Sequence, residues 1–268
     1  MSDNLRRYRA IRDALKHAYP LEPTGNLARH LTTLAALLSG IVGSKSTQLP
    51  QIAAKVPYAS KPESRVKRFS RWCDNDSIRE EGYVLPYADV VLRQVSVQTV
   101  VLAMDGSGVG RGCCALMRHV ISKGRALPLA WRVRQCPKGH VPEDLHIALV
   151  ALVSTRIPEG TQVVFLGDGE FDGIQLQETM HEGGWWYACR TSKGNTATWE
   201  DETFYVAELG ACSKPGRLIE LKEVQWTREA YGPVLLLCGW AKGHAEPLYL
   251  VSNRSSAEEA MDSYKKRF

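Results

Sequence analysis

Long apolar runs are what this 268-residue sequence most plainly lacks. Runs such as Leu34–Leu38 and Val234–Cys238 fall far short of the ~20 residues that cross a bilayer, so no membrane span is expected. The opening MSDNLRRYR carries charge but no apolar stretch, unlike a secretory signal. Cysteine is sparse: seven residues, an odd number, scattered without framework spacing. That usage fits the reducing cytoplasm better than a disulfide-stapled fold. Internal repeats and low-complexity tracts are also missing.

What is present is the composition of a globular chain, 44% hydrophobic and 24% charged, long enough for a full core plus a smaller domain. Its net charge of +5 is unevenly placed. Residues 1–82 hold 14 Lys+Arg against 8 Asp+Glu (14 − 8 = +6), whereas the remainder holds 20 against 21 (20 − 21 = −1). Segregated positive charge suggests a module that meets a polyanion, joined to a nearly neutral one.

In the basic third, apolar residues recur at helical spacing. Helices are expected over 1–19, Leu27–Val42, Leu49–Val56 and Glu63–Cys73, with prolines 20, 23 and 57 as breaks. In the last of them Val66, Phe69 and Cys73 form an inner stripe, and Arg65, Lys67, Arg68 and Arg71 point away. Short helices with a basic last member suit a helix-turn-helix-like DNA-binding unit. They equally suit a small bundle with a solvated basic face.

From Val100 the period changes. Val100–Asp105 is a continuous apolar run ending on a carboxylate, and Thr161–Asp168 repeats the pattern 63 residues later (168 − 105). Such runs read as strands buried on both faces. Carboxylates at neighbouring strand ends repel unless a cation lies between them, and Mg²⁺ takes carboxylate oxygens and water. Further strands are expected at Cys113–Ser122, Leu127–Gln135 and Trp185–Arg190, with helices over Glu143–Arg156 and Gly173–Glu182. The order β-β-β-α-β-α-β predicts an α/β mixed sheet of ribonuclease-H-like type. In it the first strand is central and the fourth lies beside it. Residues 192–246 read as a β-rich insertion with runs at Thr203–Glu208, Leu218–Thr227 and Val234–Ala241. Leu248–Ser252 reads as a return strand and Ser256–Phe268 as a helix.

Other constellations are weaker. Gly106, Gly108, Gly110 and Gly112 follow a strand but have the wrong spacing for a nucleotide loop, and a hairpin turn is expected. Cys136, His140 and His146 lack the second pair of a zinc site. Ser107 lacks a nucleophile-elbow context.

Asp105-Gly-Ser is a D-x-[ST] motif, and Asp168-Gly-Glu-Phe-Asp172 resembles D-x-[GAE]-[FY]-D. Arg65-Val-Lys-Arg68-Phe-x-Arg71-Trp72-x-x-Asn75 and the closing Tyr264-Lys-Lys-Arg267-Phe268 complete a pattern that resembles DDE-class insertion-sequence transposases of the IS-four type. The likeness covers most of the chain. It implies a helical DNA-binding domain over 1–82 and a ribonuclease-H-like catalytic domain over 96–268. Catalysis and metal binding would fall to Asp105 and Asp168, with two Mg²⁺ or Mn²⁺ ions in an intact site. Arg65, Lys67, Arg68, Arg71, Tyr264 and Arg267 would contact DNA. The partners implied are double-stranded transposon ends and target DNA, met as a homodimer in the bacterial cytoplasm. The implied reaction is phosphodiester cleavage and strand transfer.

The family signature Y-x2-R-x3-E would put its glutamate at position 271, past Phe268, and Glu258 and Glu259 lie more than two turns too early. Impaired cleavage is therefore expected, and a non-catalytic DNA-binding regulator of transposition is the alternative. A nuclease unrelated to transposition is a third possibility. Trp199, Trp226 and Trp240 would either stack on an unpaired base or pack in the core.

Overall fold

A computed structural model describes residues 3–95 and 99–267. The chain divides into two compact units, Met1–Val90 and Val91–Phe268.

The first unit is helical: α1 (Asp3–His17), α2 (Gly25–Ser44), α3 (Leu49–Ala54), α4 (Pro62–Cys73) and α5 (Glu80–Tyr83), with α6 (Leu85–Val95) running across the division. Its core joins Tyr8 of α1, Ala35, Ala36 and Leu37 of α2, Ile52 and Ala53 of α3, and Phe69 of α4. By length and composition α2 could cross a membrane. That differs from the expectation drawn from unbroken apolar runs, because the helix spaces its apolar residues among Thr, Ser and Gly. In this unit its buried face meets the other helices, as expected of a core helix. Both α5 and α6 fall in a stretch, 74–99, to which the sequence pattern assigns no element. Cys73 is exposed, so the inner stripe of α4 ends at Phe69.

The second unit is a ten-stranded mixed sheet with helices. Its strands are β1 (Val100–Gly110), β2 (Cys113–Ser122), β3 (Arg125–Gln135), β4 (Val163–Gly167), β5 (Trp186–Arg190), β6 (Thr196–Trp199), β7 (Glu202–Tyr205), β8 (Leu218–Trp226), β9 (Tyr231–Gly239) and β10 (Leu248–Ser252). Helix α7 (Glu143–Ser154) precedes β4, α8 (Ile174–Glu182) precedes β5, α9 (Val206–Ala211) follows β7, and α10 (Ala257–Lys265) closes the chain. The spatial order is β3-β2-β1-β4-β5-β10-β9-β8-β6-β7. β4 runs parallel to β1 and to β5, and the remaining pairs are antiparallel.

Three details depart from the sequence pattern. β1 continues five residues past Asp105, because β2 keeps pairing with it as far as Gly110 opposite Cys113. The expected strand at Thr203–Glu208 stops at Tyr205 and turns into α9, whose N-terminus is closed by Glu208 accepting from the Tyr205 N–H at 2.7 Å. Residues 192–246 form no separate lobe. β9 pairs with β10, and β8, β6 and β7 follow outward, so this stretch widens the sheet.

Because strand side chains alternate in direction, the sheet buries two faces. On one, Val101 and Ala103 of β1, Val164 and Leu166 of β4, and Leu250 of β10 pack against Ala257, Ala260 and Tyr264 of α10. On the other, Phe165 meets Phe171 edge-on at 6.4 Å, and Phe171 lies 4.8 Å from the His146 ring of α7.

Candidate carboxylate site

β1 and β4 pair from Val100 opposite Val163 to Ala103 opposite Leu166, a constant offset of 63 (163 − 100). The same offset places Asp105 opposite Asp168, two rungs beyond the last paired residue. Both share the parity of Ala103 and Leu166, so both carboxylates leave the sheet on the α10 face. Asp105 therefore lies within a strand with respect to β2 and beyond the end of one with respect to β4.

The α10 helix brings a cation to them. Ser256 caps it by accepting from the Glu259 N–H at 3.3 Å, and Glu258 and Glu259 occupy the favourable first turn. Arg267 lies two residues past its end. Its Nη2 donates to Asp168 Oδ2 at 3.0 Å and stands 3.9 Å from Asp105 Oδ1. The three side chains are 18% (Arg267), 45% (Asp105) and 31% (Asp168) exposed. Tyr264 is a core residue of this face. Burial raises its hydroxyl pKa, while Arg267 beside it acts in the opposite direction. The expected DNA contact from Tyr264 therefore does not match its position: its ring packs in the core, behind Arg267.

The turn after β4 is tightly built. Asp168 Oδ1 accepts from the Glu170 N–H at 3.1 Å, and the Phe171 N–H donates to the Asp168 carbonyl at 3.0 Å. Phe171 is fully buried. A Cβ on Gly167 would lie 2.6 Å from the Phe171 Cβ, so glycine is what lets the chain fold back here.

Glu170, which sequence reasoning did not single out, faces the same site. Its Oε1 accepts from the Val141 N–H at 3.1 Å. Burial raises its pKa, the Val141 N–H opposes that, and the charges of Asp168 and Asp105 raise it further. Its place inside Asp168-Gly-Glu-Phe-Asp172 was the available signal. Arg190, at the end of β5, was likewise missed. It lines two clefts, one of about 470 Å³ with Asp168, Glu170, Lys138 and Lys193, the other of about 610 Å³ with Tyr264, Lys265 and Arg267.

Two carboxylates sharing one guanidinium nitrogen form an oxygen-rich pair already organised around a positive charge. This fits a hard divalent cation that completes its shell with water. Among the described residues no group of three His, Cys, Asp or Glu side chains is arranged to hold a metal.

The expected DNA-binding residues of α4 divide. Lys67, Arg68 and Arg71 are exposed and Arg65 is half-buried. Arg65 instead donates to the Ser60 carbonyl at 2.8 Å and the Ala53 carbonyl at 2.7 Å. Arg68 donates to Thr33 Oγ1 at 2.9 Å, with its guanidinium 5.1 Å from the Tyr58 ring. These two fasten α4 to α2 and α3, so they do not simply point away. Trp226 is fully buried and Trp240 donates to the His244 carbonyl at 2.9 Å, both as structural members.

No protein-family model matches the sequence, and no curated protein matches it. Among solved structures, the chain is similar to a piggyBac transposase in a synaptic complex with hairpin DNA. The identity is 13%, over 99% of this chain and 66% of that one, with a TM-score of 0.49. The catalytic domain of human endonuclease V matches at 13% identity over 71% of this chain and 90% of that one, TM-score 0.34. An endonuclease V from Ciona intestinalis, in complex with inosine-containing DNA, matches at 14% identity over 75% and 89%, TM-score 0.32. The chain thus spans just under two thirds of the transposase. At these scores the functional reading stands on the carboxylate site itself.

Proposed function

We propose that this chain is a transposase-type nuclease, with a ribonuclease-H-like unit acting on DNA phosphodiester bonds and a helical unit that holds DNA. One observation carries the reading: the β1–β4 register sets Asp105 opposite Asp168, and both carboxylates are drawn to a single cationic group. Asp105 and Asp168 would hold the divalent metal, Mg²⁺ or Mn²⁺. When bound, that metal supplies an activated oxygen nucleophile and charge stabilisation for an in-line displacement. Arg267 would meet a phosphate oxygen, which its planar fork suits. Arg190 and Lys193 line the cleft beside Asp168, where the DNA backbone would run. Exposed Lys67 and Arg71 would contribute sequence-independent phosphate contacts.

Mn²⁺ binding followed by electron paramagnetic resonance tests this reading, together with nicking of supercoiled plasmid. The expected result is a bound Mn²⁺ that is lost in both Asp105→Asn and Asp168→Asn, with any nicking lost in parallel. Equal Mn²⁺ binding by the wild type and both variants would overturn it.

Arg267 also favours a second reading. A guanidinium that neutralises both carboxylates suits a DNA-binding chain that does not cut, a regulator of transposition. In a transposition assay, loss of activity in Asp105→Ala supports catalysis, whereas an unchanged phenotype supports the binding role.

A further inference from the structure

The loop between β5 and β6, residues 191–195, is held by a carboxylate that takes no part in the pair. Asp172 Oδ2 accepts from Thr191 Oγ1 at 2.6 Å and from Asn195 Nδ2 at 2.9 Å. Asn195 Nδ2 also reaches Thr191 Oγ1 at 2.9 Å, closing a triangle. Thr191 is 3% exposed, and its N–H donates to the Tyr249 carbonyl at 3.0 Å. On the far side, the carbonyls of Lys193 and Asn195 accept from Ala207 and Val206, each at 2.9 Å. The loop is thus pinned at both ends. Between the pins Ser192, Lys193 and Gly194 are exposed, and Ser192 and Lys193 line the same cleft as Lys138 and Asp168. An exposed ion pair of Lys193 with Glu246 at 3.7 Å is of the kind worth little in water, which leaves the ammonium open to a better partner.

Asp172 lies four residues from Asp168, and Phe171 between them is anchored in the core. The turn that sets the carboxylate of Asp168 therefore also sets the anchor of the loop that carries Lys193. We infer that Asp172 is a positioning residue, fixing the 191–195 loop so that Lys193 meets a phosphate of DNA lying at a constant distance from Asp168. This deepens the reading of the cleft as DNA-facing and rests on it.

The sign of the effect separates positioning from plain electrostatics. Removing a negative charge beside a polyanion should tighten binding, whereas freeing the loop should weaken it. The experiment is fluorescence anisotropy of a labelled duplex of arbitrary sequence, with the full chain, across a salt series in EDTA. Lys193→Gln is expected to weaken binding about 5-fold and lower the salt slope by about one. Asp172→Ala should do the same although it removes an acid, and the double variant should be no weaker than either single one. Thr191→Val, which leaves every charge in place, should weaken binding in the same direction and keeps the test valid if Asp172→Ala does not fold. Asp172→Asn, which retains an acceptor oxygen, should restore part of the loss.

Tighter binding by Asp172→Ala, or losses that add with Lys193→Gln, would overturn the positioning role while leaving the proposed function intact. Wild-type affinity and slope in Lys193→Gln would instead take Lys193 out of the DNA contact and overturn the positioning role, whereas the proposed function is decided separately by Mn²⁺ binding and nicking.

Discussion

Arg267 donates to Asp168 at 3.0 Å and stands 3.9 Å from Asp105, so one guanidinium nitrogen serves two carboxylates from two strands. Arg267→Gln removes that charge and leaves two like charges facing each other. The unfolding midpoint in EDTA should fall, by an amount equivalent to about 1–2 kcal/mol for a partly buried charged hydrogen bond. Mg²⁺ should then raise the midpoint of this variant more than that of the wild type, since the ion fills the place of the guanidinium. Thermal melts with and without Mg²⁺ check both outcomes, and equal Mg²⁺ shifts would refute the competition.

Arg118 of β2 is completely buried, with its guanidinium 5.2 Å from the Phe165 ring and 5.1 Å from the Trp185 ring. Its three guanidinium nitrogens have no hydrogen-bond partner among the described residues. Cation–π contact recovers only part of the desolvation cost, and burial lowers its pKa to about 9. Arg118→Met, similar in reach and apolar, should therefore stabilise the unit by about 1–4 kcal/mol, as replacing buried charges by apolar groups often does. Urea denaturation at neutral pH measures it. A loss of stability would mean that the guanidinium has a partner when the protein is in solution.

His146 is 2% exposed, its ring tilted 57° against that of Phe171, and burial lowers its pKa to about 4 against opposing effects of Asp144 and Asp168. Its ordinary value is near 6.5, so between pH 6.5 and 4 the unfolded chain binds the extra proton. Stability should therefore rise with pH across that window and fall on acidification, by an amount on the order of 2 kcal/mol. His146→Phe should flatten this part of the profile, as followed by denaturation midpoints from pH 4 to pH 7 (roughly the window set by the two values).

Gly167 ends β4 where a Cβ would lie 2.6 Å from the Phe171 Cβ and 3.1 Å from Cys189 Sγ. Gly167→Ala forces the Asp168 turn outward and should cost about 1–3 kcal/mol, as overpacking does. Because the turn carries Asp168, Mn²⁺ affinity should weaken in the same variant. Retained affinity alongside lost stability would show that the turn relaxes without moving the carboxylate.

In the helical unit, Lys67→Gln and Arg71→Gln should each lower the salt slope of DNA binding by about one, with unfolding unchanged. Arg65→Gln and Arg68→Gln should do the reverse, lowering the midpoint of this unit. They lose bonds to the carbonyls of Ser60 and Ala53 and to Thr33, each worth about 1–3 kcal/mol for a charged donor. Paired salt-series titrations and melts separate the two classes.

By itself the sequence determined the elements whose periodicity is strong. The four leading helices, the buried run into Asp105 and its echo into Asp168 are all written as local patterns of apolar spacing. The shared offset of 63 residues was equally legible, and it became the strand register. Local pattern could not reach what depends on partners distant in the chain. β1 runs past Asp105 because β2 pairs with it, and residues 192–246 join the main sheet because β10 offers an edge to β9. Arg65 and Arg68 are tied back by acceptors elsewhere in the unit, the carbonyls of Ala53 and Ser60 and the hydroxyl of Thr33, which helical spacing does not reveal. Tyr264 sinks into the core because the α10 face meets β1 and β4. Above all, only the folded chain brings Arg267 to the carboxylate pair, 99 residues from Asp168. Two negative charges fixed by a strand register require a cation, and sequence spacing alone carries no information about which one arrives.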